Sequence, residues 1–263
     1  MDLTEKRVLG RTGLLAGRLG VSGGYLAPTP AIEEAFERGC NYFYWGSMRT
    51  SGMRNAIRNI VAQGKRDELI ILLQSYSRSA ALMELFLERG LKALGVDHAD
   101  ILLLGWRNQR PSEGILERAE QMRQKGRFRY LAVSGHHRPA FPRLAGPGEP
   151  FDIFHIRYNA AHRGAEKDVF PLLPENDRPG IVTFTATRWG RLLKAKHARA
   201  GEKPLSASDC YRFALSHPDV DVCMCGPRNQ EQMREALRTL ELGPLSDEEM
   251  ERVRRIGDRT YGK

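Results

Sequence analysis

A chain of 263 residues is long for one average domain but matches the length at which α/β barrels form as a single unit, and its 41% hydrophobic residues suffice for a large core. Lysine and arginine (41) outnumber aspartate and glutamate (32), and the resulting net charge of +9 suits an anionic ligand; the basic residues are scattered, with no run of five or six that would read as a polybasic tail. Four cysteines do not make a disulfide framework, no signal-peptide apolar region follows Met1, and no apolar run reaches the ~18 residues of a membrane span, so a reducing cytoplasm and no membrane partner are expected.

In chain order, Val8-Leu9-Gly10-Arg11-Thr12-Gly13-Leu14-Leu15 sets turn residues between two short apolar pieces, the pattern of a β-hairpin. Residues 18–24 read as a first strand. Thr29 and Pro30 read as the N-cap and first position of a helix through Ile32, Ala35 and Phe36 that Gly39 ends. Strand-like runs follow at 41–45, 68–74, 100–106, 128–134, 152–156, 181–185 and 220–225. Helical stretches between them include 80–94, with Leu82, Leu85, Phe86 and Leu91 as its apolar face, 115–125 and 207–216. Ser246, followed three residues on by Glu249, starts a last helix beyond the eighth strand. Eight strands alternating with helices predict a (β/α)8 TIM barrel with an N-terminal β-hairpin and a C-terminal extra helix, in one domain over residues 1–263, since nothing reads as a linker or repeat. The ligand site is expected at the C-terminal ends of the strands, with the one long connection there, 188–205, as a lid.

The last strand runs through Gly226-Pro227 into a helix whose first turn is expected to carry Arg228. Unpaired N–H groups at a helix start attract phosphate, and a guanidinium adds a planar fork that fits phosphate oxygens. Cys223 and Cys225 alternate on that strand and share one face as small buried residues; zinc wants four ligands at recognisable spacing, so no metal is expected.

Taken together, the pieces resemble the aldo-keto reductases. Leu9-Gly10-Arg11-Thr12-Gly13-Leu14 is similar to their opening hairpin, Gly39-Cys40-Asn41-Tyr42-Phe43 to the approach to their second strand, and Leu94-Gly95-Val96-Asp97-His98-Ala99-Asp100 to the entry into their fourth. Gly126-Arg127-Phe128-Arg129 resembles the start of their fifth strand, Arg157-Tyr158-Asn159 the end of their sixth, and Arg228-Asn229 with Gln232 the turn that grips the adenosine 2′-phosphate of NADPH. The resemblance implies NADP(H) as cofactor and a small carbonyl-type substrate. It also implies an aspartate, tyrosine, lysine and histidine that deliver a proton; by position these fall on Tyr44, Arg49, Gln74 and Gly105. Glutamine and glycine do not titrate, and arginine stays protonated at neutral pH, so the standard route is not expected.

On the cofactor side the resemblance implies that Arg228, Asn229 and Gln232, after the turn at Gly226, hold the adenosine phosphate, although Ala236 stands where an asparagine is usual. Ser134 would hold the nicotinamide amide, with Gly135 and His155 replacing the usual asparagine and glutamine. Phe184 would stack under the nicotinamide, and Thr185, Thr187, Arg188 and Gly190 would line the pyrophosphate's path. Tyr44 is a candidate catalytic phenol, its pKa lowered by Arg49 or Arg107, or else an aromatic packed at the barrel rim. His136 and His137 are titratable groups on the same face, or solvated loop residues. Two functions stay open: an NADP(H)-binding oxidoreductase with a rearranged active site, and an inactive barrel acting as a dinucleotide- or anion-binding sensor or partner-binding protein. Nucleic acid is not an expected partner, because no recognition-helix or base-stacking signature is present.

Overall fold

The computed structural model describes residues 2–46, 50–199 and 201–261. A short hairpin, β1 (Arg7–Val8) with β2 (Leu15–Ala16), precedes the barrel strands β3 (Leu19–Ser22), β4 (Tyr42–Trp45), β5 (Ile70–Ser75), β6 (Ala99–Leu104), β7 (Phe128–Gly135), β8 (Ile153–Arg157), β9 (Gly180–Phe184) and β10 (Val222–Cys225). The eight pair in parallel, each with its sequence neighbour, and β10 closes on β3 through Cys223 opposite Leu19. The helices are α1 (Thr29–Glu37), α2 (Ser51–Ala62), α3 (Ala80–Leu94), α4 (Glu113–Gln124), α5 (Ala140–Leu144), α6 (Ala165–Asp168), α7 (Ala207–Leu215), α8 (Gln230–Leu242) and, beyond the last strand, α9 (Asp247–Thr260). A (β/α)8 barrel with an N-terminal hairpin and a C-terminal extra helix is thus what the chain forms.

Alternation along the strands makes two cores. Tyr42, Ile70, Leu72, Ile101, Ile153, Val182 and Val222 point into the barrel, while their neighbours such as Phe43, Ile71 and Leu102 pack outward under the helices. The hairpin plugs the lower end: Leu9 and Leu14 join the interior core. Gly10, at φ +49°, lies so close to Gly180 that any Cβ would overlap that backbone. Aspartates at the starts of three strands accept N–H groups of the neighbouring strands, Asp100 from Ile71, Asp152 from Leu131 and Asp221 from Ile181, each at 2.8 Å. The hairpin closes the lower end, so a ligand must enter from the top.

Three local expectations change. Thr29 lies inside α1 with Pro28 before it, and its hydroxyl donates to the Gly52 carbonyl at 3.2 Å, so it does not cap the helix. The buried face of α3 is Met83, Leu87, Gly90, Leu91 and Leu94, and Leu82, Leu85 and Phe86 are exposed. Gly90 sets that choice: a Cβ there would come 3.0 Å from Leu73 of β5, so the helix seats on its glycine face. The long connection after Arg188 is tied down: Leu192 and His197 are buried, and Arg255 of α9 donates to Glu202 at 2.6 Å.

Candidate functional site

At the upper end of the barrel lies a cavity of about 710 Å³, a size typical of small-molecule and cofactor sites. The uppermost inward side chains line it, among them Tyr44, Leu103, His155 and Met224, together with residues just beyond the strand ends. Of the residues singled out by sequence, Tyr44, Ser134, His155, Phe184, Thr185, Thr187, Gly190, Gly226, Arg228 and Gln232 meet here. Asn229 and Arg188 do not line it, and Arg49 lies outside the described residues.

On the β4–β6 side, the hydrogen bonds have a fixed direction. The Gln74 amide nitrogen donates to the Gly46 carbonyl at 3.0 Å, which leaves its oxygen to accept the Tyr44 hydroxyl. That oxygen has no hydrogen to give, so the phenolic proton of Tyr44 points at Gln74, and the Tyr76 hydroxyl is a second hydrogen-bonding neighbour of the Tyr44 oxygen. Burial first, then the neighbouring phenol of Tyr76, raise the Tyr44 pKa well above that of an ordinary tyrosine. The expectation of an acidified phenol therefore fails. Arg107 donates to the Ser77 carbonyl and is not among the groups that perturb Tyr44. Behind Tyr44, His155 is fully buried, its Nε2 2.8 Å from the Tyr42 hydroxyl, and burial pushes its pKa down to about 3. It is neutral at any physiological pH.

On the β9–β10 side, Arg228 sits one residue before the Asn229 N-cap of α8, not in the helix's first turn. Asn229 Oδ1 accepts the Gln232 N–H at 2.9 Å and Gln232 Oε1 accepts the Arg228 N–H at 3.0 Å. These two side chains cap the helix and fix the backbone of Arg228. Arg228 lines the cavity and is exposed, and its guanidinium has no hydrogen-bond or ion-pair partner among the described residues. Gly226 is covered by the ring of Tyr25, which a Cβ would overlap. Thr187 Oγ1 accepts the Gly190 N–H at 3.2 Å and shapes the turn after β9. Arg188 faces away from the cavity: it is buried, and its guanidinium donates to the Thr260 carbonyl at the end of α9.

Between these sides, Ser134 Oγ accepts the Trp106 N–H at 3.3 Å, and His136 lies edge-on to Phe184 at 5.9 Å between ring centroids. Burial, and then the charge of Arg157, lower the His136 pKa, and its Nδ1 is buried without a partner. His137 does not line the cavity. Among the described residues no group of three or more His, Cys, Asp or Glu side chains comes together to hold a metal, and no helix is long and apolar enough to cross a membrane.

A sequence profile described as the Aldo/keto reductase family matches residues 28–209 and 198–258. The chain belongs to the aldo-keto reductases. Its fold is similar to an aldo-keto reductase from Bacillus halodurans in its holo form, with a TM-score of 0.79 and 19% identity over 96% of both chains. The apo form of that reductase gives a TM-score of 0.75 at 19% identity, over 96% of this chain and 95% of that one. A thermostable aldo-keto reductase in complex with the inhibitor epalrestat gives 0.73 at 22% identity, over 95% of this chain and 99% of that one.

Within this aldo-keto reductase, the place carried over for the histidine is Gly105, and the ring of Tyr76 fills the space a Cβ would need there. Sequence reasoning missed Tyr76, and with it Tyr25, Trp106 and Trp189, all of which line the cavity. Trp106 and Trp189 are 65% and 64% exposed and take left-handed backbone at φ +54° and +52°, a conformation that costs a bulky residue energy and marks a constrained loop. The one available signal was position: each follows a strand's C-terminal end, where barrel ligand sites are built.

Proposed function

We propose that this aldo-keto reductase binds NADP(H), with the adenosine phosphate on Arg228, and that its proton-delivery side has been rebuilt. The observation that carries the reading is Arg228 on the cavity wall, exposed and unpaired at its side chain, with its backbone fixed by the Asn229 and Gln232 caps. The residues present suit the group: an open cation for the phosphate, the Ser134 hydroxyl for an amide, and the Phe184 ring for a planar heterocycle. A bound nicotinamide would supply hydride chemistry. The turn at Thr187 and Gly190 would pass the pyrophosphate, whereas Arg188 would act from outside the cavity by holding the loop to α9.

A small carbonyl-type substrate would find the Tyr44 proton already given to Gln74, with none free to donate to the carbonyl oxygen. That observation favours a second reading, a dinucleotide-binding protein with little or no turnover, because the Tyr44 proton is engaged by Gln74 and held by burial. General acid catalysis commonly contributes about 10²–10⁴-fold. Reduction of ordinary aldehydes is accordingly expected to fall short of enzyme-like rates by that order, and Tyr44→Phe should change any residual rate little. A strong loss in Tyr44→Phe would restore the catalytic role.

The experiment for the reading as a whole is a crystal structure with NADP+ added. The expected map has the adenosine phosphate against Arg228 and the nicotinamide face on Phe184. Cofactor density elsewhere, or none at saturating concentration, would overturn it.

A further inference from the structure

Beside the main cavity, across Trp106, the loops after β5 and β6 enclose a second pocket of about 350 Å³ lined by Arg78, Trp106, Arg107, Arg110 and Ser112. Three arginines in one small pocket repel one another, and their carboxylate partners are unequally shared. Arg110 is satisfied at the rim by Glu149 at 2.9 Å and by Glu113. Arg78 and Arg107 have no carboxylate partner among the described residues. Arg78 donates only to the carbonyls of Gly105 and Trp106, and Arg107 only to that of Ser77.

Arg107 is the informative one. It is 7% exposed, and its Nε is buried with no partner. A guanidinium taken out of water without a counter-charge is costly, and here a second cation adds to that cost. Burial, and then the charge of Arg78, draw its pKa down to about 10. It still carries its charge at neutral pH.

The amino end of α4 opens on the same pocket. Ser112 is its N-cap, yet the Ser112 side chain makes no capping bond, so the first N–H groups of the helix are not satisfied by it. Glu113, the one acid of the helix's first turn, is engaged by Arg110. A twelve-residue helix therefore adds its positive end to two cations that lack acids.

We propose that this pocket is a second oxyanion site, distinct from Arg228, which takes a phosphate or carboxylate group on the Arg78 and Arg107 guanidiniums and the amino end of α4. A planar two-toothed anion suits a guanidinium, and the Ser112 hydroxyl adds a donor. Because Trp106 walls both pockets, an anion held here lies one side chain away from anything bound in the main cavity.

The test is calorimetric titration of the full chain with inorganic phosphate and, separately, acetate, at low chloride, with tryptophan emission followed in parallel. Saturable binding of one or both is expected. Its affinity should fall about tenfold or more in Arg78→Ala, an exposed position, and in Arg107→Lys, which keeps the charge and loses the fork. Arg228→Ala should leave it unchanged, which separates this site from the adenosine-phosphate grip. Tighter phosphate assigns the site to phosphate monoesters, and tighter acetate to carboxylates. No saturable binding by the unmutated protein, binding that survives Arg78→Ala and Arg107→Lys together, or binding lost in Arg228→Ala would overturn the proposal.

Discussion

The two ends of the barrel use the same residue types in opposite ways. At the lower end Arg7 and Arg178 meet Asp221, Arg66 and Arg129 meet Asp100, and the aspartates also secure strand N–H groups; buried Arg18 lacks a carboxylate but is held by the Leu215 and Val220 carbonyls, so cations there are structural. At the upper end Arg78, Arg107, Arg157 and Arg228 have no carboxylate partner among the described residues. Backbone strain follows the same division. Of the six non-glycine residues with left-handed φ among the described residues, Leu26, Trp106, Thr185, Arg188 and Trp189 follow the upper ends of strands, and Asp177 lies below. The exposed, unpartnered Arg228 on the cavity wall and the held strain beside it mark the upper end as the one that expects an anionic ligand, whereas the lower-end arginines are tied into the fold by aspartates or by carbonyls.

The largest effect is expected below. Asp221 is fully buried between two arginines and also accepts a strand N–H, so Asp221→Asn leaves those charges uncompensated and should cost about 3–5 kcal/mol. Thermal unfolding should fall by roughly 6–20 °C, at about 2–4 °C per kcal/mol for a chain of this size, while the folded fraction keeps its ligand affinity. A shift within error of the unmutated protein would break the division between the two ends.

Arg188 sharpens the comparison because it sits above but is predicted to behave like a lower-end residue. Arg188→Ala removes the bond to the Thr260 carbonyl and should cost about 1–3 kcal/mol of stability by chemical denaturation, with a smaller change in cofactor affinity. If affinity collapses while stability holds, Arg188 belongs to the cofactor grip after all.

His155 gives the pH dependence its sign. Its folded pKa of about 3 is below the unfolded 6.5, so below pH 6.5 the unfolded chain binds the extra proton and this histidine's contribution to stability is lost progressively as pH falls. At pH 5 the loss relative to neutral pH should be about 2 kcal/mol. Denaturation curves at pH 7 and pH 5 for His155→Gln should lack that share; identical pH dependence in both proteins would exclude it.

How far the sequence could be read follows from what sets each feature. Strands such as Phe128–Gly135 and Ile153–Arg157 come within a residue or two of their apolar runs, because parallel strands buried on both faces need continuous hydrophobic sequence. The capping box of Ser246 and Glu249 forms as read, because both partners lie within one turn. The face of α3 was misread because two apolar stripes compete on it, and a long-range contact, Gly90 against Leu73, decides between them. At the site, residues on strand ends were legible from their order along the chain. Tyr76, Trp106 and Trp189 were not, since loop backbone aims them, and neither was the inward turn of Arg188, which depends on a carbonyl 72 positions away.

The central claim is that Arg228 is an anion grip rather than a surface charge, and equilibrium titration with NADPH and NADH, on the unmutated protein and on Arg228→Ala, tests it most directly. A contact between a guanidinium and phosphate contributes about 1.5–3 kcal/mol, so NADPH should weaken about 10- to 100-fold in the variant. NADH affinity should hardly change. Arg228 is exposed and its side chain has no partner, so the unfolding temperature should stay where it was. Equal losses for both cofactors, or no NADPH binding by the unmutated protein, would contradict the account.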